Sequence, residues 1–191
     1  IVSIIKKDIP FFKTSGGGVT LSGGEPTLFT DFCAELLDEC KKLSVNTLIE
    51  TSGMFDPAAF TDLLLPLLDT VFFDLKIYDS KTHKEKCGVG NEVILNNFKR
   101  LNETCRDAAG PRLLGRIPLI PGITDTDENL EALAAFLREC GAGEVSLLPY
   151  NPTWLNKSAM VDAELRYDNS KWMSEDDLKR CRSHFKGFAI I

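Results

Sequence analysis

Apolar residues along this chain recur in two alternating rhythms. Short runs rich in branched and aromatic residues, Val19–Ser22, Asn46–Glu50, Thr70–Lys76, Leu113–Ile117 and Glu144–Leu148, read as strands. Between them the apolar positions fall at helical spacing. Thr30 to Leu43 sets Phe32, Leu36, Leu37 and Leu43 on one face, and Asp56-Pro57 supplies a cap and a first-position proline for a helix running to Leu68. Asn91 is the candidate cap of a helix carrying Ile94, Leu95, Phe98 and Leu101. After Pro121-Gly122, Asp125 and Glu128 form a capping box ahead of Leu130, Leu133, Phe136 and Leu137, and Gly141 stops that helix. Ser174 starts a last helix, and Phe188–Ile191 is a candidate terminal strand. The opening stretch Ile1 to Pro10 reads as the second half of an amphipathic helix with no cap and no initiating Met, so further sequence is expected upstream.

Strict alternation of strand and helix implies right-handed parallel βαβ units. The fold class is therefore α/β, as an open doubly wound sheet or a barrel, complete or partial. No repeat, low-complexity tract or linker divides the 191 residues, and a single domain over 1–191 is expected. The stretch from Asn151 to Lys171 lacks periodicity, and a loop of that length in a compact domain is often functional.

Composition narrows the function. The net charge is -6 and the basic residues fall in isolated pairs such as Lys6-Lys7, Lys41-Lys42 and Lys99-Arg100, so no nucleic-acid partner is expected. No apolar run approaches a membrane span, no signal peptide is readable, and a cytoplasmic location is expected. The six cysteines, at 33, 40, 87, 105, 140 and 181, form no CxxC knuckle, and most are expected to be reduced and packed, with Cys33 and Cys40 on the core face of one helix. His83 and His184 sit in charged helical contexts that read as exposed, with no metal or catalytic role. No Ser–His–Asp or HExxH arrangement supports a hydrolase.

The densest chemical signal is Ser15-Gly-Gly-Gly-Val-Thr-Leu-Ser-Gly-Gly-Glu-Pro-Thr27. Glycines on both sides of a strand place bare backbone at its C-terminal end, where a ligand approaches N–H and C=O groups without meeting Cβ atoms. Neither a Walker A nor a GxGxxG pattern is present. Polar groups close other strands too: Glu50-Thr51-Ser52-Gly53, Asp74-Leu75-Lys76 and Pro149-Tyr150-Asn151. In parallel α/β folds these ends converge on one pocket. Asp74 and Lys76 beside Phe72 and Phe73, and Arg116 inside an apolar strand, carry a desolvation cost unless each meets a partner or a ligand.

The string SGGGVTLSGGEPTLF resembles the core of the glycyl-radical-enzyme activating enzymes of the radical S-adenosylmethionine superfamily. The likeness continues through ETSG, VFFDLKIYDSKTHKEKCGVGNEVILNNFKRL, GRIPLIPGITDTDENL and EVSLLPYN, up to about Asn151. It implies a partial (β/α)6 TIM-like barrel of parallel strands, here with its first strand missing. It also implies use of S-adenosylmethionine and a [4Fe-4S] cluster to generate a 5′-deoxyadenosyl radical and install a glycyl radical on a partner such as pyruvate formate-lyase. A flavodoxin or ferredoxin would supply the electron.

Carried over by motif, Gly23, Gly24 and Glu25 would hold the methionine amino group, and Lys76 its carboxylate. Glu50 and Asp74 would line the ribose and cation side, and Thr51 and Leu75 beside them are further candidate cofactor-binding residues. Arg116 would be a catalytic residue engaging a carboxylate or the substrate backbone. Asn151 stands where pyruvate formate-lyase activating enzyme has a histidine, and it can hydrogen-bond but not titrate. The family's CxxxCxxC is absent from this chain, so no metal ligands are assigned, and the cluster is expected only in a full-length parent. The chain alone is expected to be inactive in radical generation. The alternative is a cluster-free module that binds S-adenosylmethionine or docks a partner without radical chemistry.

Overall fold

A computed structural model of the chain describes residues 1–106, 110–154 and 167–191. The amphipathic helix α1, Val2–Ser15, ends on Gly16 in the left-handed region, and leads into strand β1, Gly18–Leu21. Helix α2, Thr30–Lys42, precedes β2, Asn46–Thr51. A short helix α3, Pro57–Ala59, precedes β3, Thr70–Asp74. Helices α4, Ser80–Cys87, and α5, Glu92–Thr104, precede β4, Arg112–Leu119. Helix α6, Asp127–Glu139, is followed by β5, Glu144–Pro149, helix α7, Glu175–Ser183, and the short β6, Ala189–Ile190. No helix among the described residues is long and apolar enough to cross a membrane.

The strands form one sheet in the order β1-β2-β3-β4-β5-β6, every pair parallel. The strand order never reverses, so successive right-handed crossovers lay their helices on the same face, which is the winding of a barrel and not of a doubly wound sheet. Strands β1 and β6 each pair on one side only, leaving the barrel partial. Strand alternation shows the two faces directly. Ile49, Val71, Phe73, Ile117 and Val145 are wholly buried under the helices. Their strand neighbours Glu50, Phe72, Asp74, Arg116 and Ser146 share the opposite face, aligned by the register Glu50↔Phe72 and Asp74↔Arg116↔Ser146.

Several local expectations shift. In α2 the buried face is Cys33, Leu36, Leu37 and Cys40, and Phe32 is 53% exposed, because the packed stripe lies one position further on. Asp56 caps as expected, accepting from the Ala59 N–H at 2.8 Å. The helix to Leu68 does not form, however: the chain widens into a π turn over Phe60–Leu64 and tightens into a 3-10 turn around Pro66, which has no N–H to continue an α-helix.

The cap of α6 is Thr126, not the Asp125/Glu128 pair; Asp125 instead accepts from the Gly122 N–H at 2.6 Å and pairs with Arg180 at 2.9 Å. Asn91 stands at the start of α5 but turns its amide away from the helix. His83 is buried, its Nδ1 2.7 Å from the Val89 carbonyl oxygen, contrary to the exposed reading. Most of the stretch from Asn151 to Lys171 lies outside the described residues.

Candidate functional site

The C-terminal ends of β1 to β4 enclose a cleft of about 330 Å³ lined by Ser22, Gly23, Gly24, Glu25, Glu50, Thr51, Ser52, Asp74, Lys76 and Arg116. Gly23 has a φ of 117°, a region closed to residues with a Cβ, and a Cβ added at Gly23 or Gly24 would meet no atom within 4 Å. The glycine pair therefore presents bare backbone to open space. Glu25 anchors that loop. One carboxylate oxygen accepts from the Thr51 and Thr27 hydroxyls, both at 2.8 Å, and from the Thr27 N–H at 3.4 Å. The other accepts from the Ser52 N–H at 2.8 Å and the Ser52 hydroxyl at 2.6 Å. Burial works to raise the Glu25 pKa, but the Ser52, Thr27 and Thr51 donors together hold it below the ordinary value.

Arg116 organises the other half. Its Nη1 donates to Glu50 at 2.6 Å, and its Nε and Nη2 reach one oxygen of Asp74 at 3.0 and 2.9 Å. Its guanidinium also lies 4.9 Å from the centre of the Phe72 ring. Glu50 takes a further hydrogen bond from Ser22 at 2.6 Å. Burial acts to raise the Glu50 pKa; the Ser22 and Arg116 contacts outweigh it and keep the carboxyl below its usual range. For Arg116, burial opposes the charge, and its two carboxylates restore it, raising the pKa. The arginine thus meets partners inside the sheet, as an ion in that position requires. Lys76 is less constrained, its Nζ 3.8 Å from Asp74.

Most of the expected residues come together, and two do not. Gly23, Gly24, Glu25, Glu50, Thr51, Asp74, Lys76 and Arg116 all line the cleft. The Leu75 side chain is buried in the core, and its N–H is taken by the Arg116 carbonyl at 2.8 Å. Asn151 lies in a separate apolar cleft with Pro118, Leu148, Tyr150 and Tyr167. Three contributors went unassigned in the sequence: Ser22, Ser52 and Phe72. The first two sit inside the quoted strand-end motifs, and Phe72 was readable from its two-residue offset to Asp74.

The Radical SAM superfamily model matches residues 1–137. The chain belongs to the radical SAM superfamily. Among curated relatives, this radical SAM chain is 34% identical over 169 residues to the indoleacetate decarboxylase activating enzyme of Tractidigestivibacter scatoligenes, covering 88% of the chain and 52% of that protein. It is 35% identical over 185 residues to the 4-hydroxyphenylacetate decarboxylase activating enzyme of Clostridioides difficile, covering 97% of the chain and 57% of the relative. Its fold matches a domain of pyruvate-formate lyase-activating enzyme from Bacteroides vulgatus with a TM-score of 0.72 and 28% identity, over 92% of this chain and 98% of that one. The chain spans about half the length of the curated relatives it matches.

The superfamily's two cofactors fit this radical SAM chain unequally. Three carboxylates and two cations line the cleft, leaving it one net negative charge beside open glycine backbone. S-Adenosylmethionine carries a sulfonium, an ammonium and a carboxylate, one net positive charge, and so complements the cleft. An iron–sulfur cluster does not fit the described residues: their cysteines stay separate and no three candidate ligands gather at a metal-sized spacing.

Proposed function

We propose that this chain is the S-adenosylmethionine-binding sheet of an activating enzyme for a glycyl radical enzyme. The cluster-binding cysteines, in this reading, belong to a part of the full-length protein outside these 191 residues. The observation that carries the proposal is the set of five charged groups at the strand ends, balanced one charge short of neutrality and open to a cationic ligand. The backbone at Gly23 and Gly24 would take the ammonium group, held in place by Glu25, whose own oxygens are already filled by Thr27, Thr51 and Ser52. Lys76 would meet the ligand carboxylate. Glu50 and Asp74, fixed by Arg116, would face the ribose and the sulfonium. Held by these residues, S-adenosylmethionine together with the cluster and one donated electron would supply radical chemistry for removing a hydrogen atom from a glycine of the partner.

The partner would be a glycyl radical enzyme, of the arylacetate decarboxylase or pyruvate formate-lyase kind, with flavodoxin or ferredoxin as electron donor. The relatives that act on arylacetate decarboxylases support the first of these. Isothermal titration of the chain tests the site. S-Adenosylmethionine is expected to bind more tightly than S-adenosylhomocysteine, which lacks the sulfonium charge, and Lys76→Ala is expected to weaken binding by about tenfold through loss of one charge-assisted hydrogen bond. Indifference to both would overturn the assignment. Anaerobic reconstitution of the parent protein without cofactor cleavage would leave the binding-module alternative standing.

A further inference from the structure

Strand β3 stops at Asp74, two residues before the lysine that the cleft requires. The reason lies on β4. The ladder runs through Asp74↔Arg116, and the Leu75 N–H still finds the Arg116 carbonyl at 2.8 Å. Counting on in the same register brings Pro118 opposite Lys76, and proline has no N–H to give the next rung. The Pro118 carbonyl turns to the Thr124 hydroxyl. The segment Lys76 to Tyr78 thus leaves the sheet with backbone groups that need partners.

Two buried asparagines supply them. Asn129, in the first turn of α6, donates through Nδ2 to the Lys76 carbonyl at 3.0 Å and accepts the Tyr78 N–H on Oδ1 at 2.8 Å. Bonding the carbonyl before Ile77 and the N–H after it is the pattern a parallel neighbouring strand would make. The second Nδ2 hydrogen goes to the Thr124 carbonyl at 2.8 Å, so both donors of the amide are used. Asn91, from the start of α5, donates to the Ile77 and Tyr78 carbonyls at 2.8 and 2.7 Å. Leu75 and Ile77 point into the core, which turns Lys76, between them, toward the cleft.

We infer that Asn129 is a positioning residue for Lys76, its side-chain amide taking the place of a strand neighbour for the backbone on either side of Ile77, where the β4 ladder has already ended. The inference rests on the cofactor-binding reading for its functional consequence, but not for its structural content. A lysine has a long, flexible stem, so its ammonium is placed only as well as the backbone that carries it.

Residue-resolved amide hydrogen exchange tests the backbone half. The Tyr78 amide lies outside every strand, yet it is expected to exchange as slowly as the Val71 and Phe73 amides of β3. Asn129→Ala is expected to speed Tyr78 exchange by about tenfold, the effect of losing one buried hydrogen bond, and to leave Val71 unchanged. Fast Tyr78 exchange in the wild type, or equal acceleration at Val71, overturns the proposal.

Titration with S-adenosylmethionine tests transmission to Lys76. Asn129→Ala is expected to weaken binding severalfold in the wild-type background and not at all in Lys76→Ala, as a residue acting through another must. An equal loss in both backgrounds overturns it. Where Asn129→Ala does not fold, Asn129→Asp keeps the volume and the Tyr78 acceptor while removing both donors, and the same cycle applies. A wild type that binds no S-adenosylmethionine but shows the expected exchange pattern refutes the cofactor reading and supports the clamp.

Discussion

The two faces of strands β2, β3 and β4 are made from consecutive residues and obey opposite rules. On the helix side stand Ile49, Val71, Phe73 and Ile117, all wholly buried. On the other side stand Glu50, Phe72, Asp74 and Arg116, one residue away in each case and joined by ion pairs and a ring contact. The first face gains its stability from packing, and the polar groups it does bury, Thr47 and Thr51, are hydrogen-bonded. The second buries charge and stays tolerable only because each charge has a partner. Alternation lets a strand serve both roles without compromise, since a side chain on one face never meets a side chain on the other.

The comparison breaks most visibly at Phe73. Its ring meets Phe98 at 5.2 Å and Phe55 at 6.2 Å between centroids, both edge to face, and it sits against Gly53. Phe73→Ala leaves a cavity that this close-packed aromatic cluster cannot refill, and a loss of about 3–5 kcal/mol is expected. Urea unfolding measures it as a lowered midpoint at unchanged slope. A loss below about 1 kcal/mol would mean that the helix face is looser than its burial shows.

How much of this was readable beforehand follows from the range of the interactions. The strands were placed to within a few residues, because their pattern of branched and aromatic residues is local. The glycine pair, Glu25, Glu50, Asp74, Lys76 and Arg116, which line one cleft, stand out in the sequence because each interrupts an apolar strand or its end. Thr51 belongs with them, its hydroxyl holding Glu25. Leu75 and Asn151 stand in strand-end motifs too, yet neither side chain lines the cleft: alternation sends Leu75 to the core, and Asn151 follows β5 to a different opening. Phe32 was misplaced because a helical stripe read from few residues can slip by one position. The roles of the Asn91 and Asn129 amides were invisible, since each resembled an ordinary helix-start residue while its partners on the Lys76–Tyr78 segment lie 13 and more residues away.

Acid sharpens the comparison, because only one face titrates. Both Glu25 and Glu50 have folded-state pKa values below the ordinary value of 4.5. A depressed carboxyl contributes stability that is fully present above the unfolded value and is lost as pH falls through the folded one. Stability is therefore expected to decline below about pH 4.5 and to be flat through neutrality as far as these two groups are concerned. Glu25→Gln replaces a carboxylate held by three neighbouring residues, and a loss of about 1–3 kcal/mol is expected at pH 7. The gap between Glu25→Gln and wild type is expected to narrow as the pH is lowered, which urea midpoints across a pH series would show. A gap that stays constant to acid pH would mean that Glu25 stabilises by its shape and not by its charge.

The smallest effect belongs to Phe72, an apolar side chain beside the charged groups of that face. It faces the cleft side, where burial contributes less than at Phe73, and its distinctive contact is the Arg116 guanidinium 4.9 Å from the ring centre. Arg116 is already committed to Glu50 and Asp74, so the ring contributes only the remaining contact on the guanidinium. Phe72→Leu preserves an apolar side chain and removes the π face. In a double-mutant cycle with Arg116→Met, the coupling energy read from urea unfolding is expected to be about 0.5–1 kcal/mol, the range of a partly solvated cation–π pair. A coupling indistinguishable from zero would show that the ring and the guanidinium are neighbours only because the register Asp74↔Arg116 places them so. The arginine's position would then depend on its two carboxylates alone.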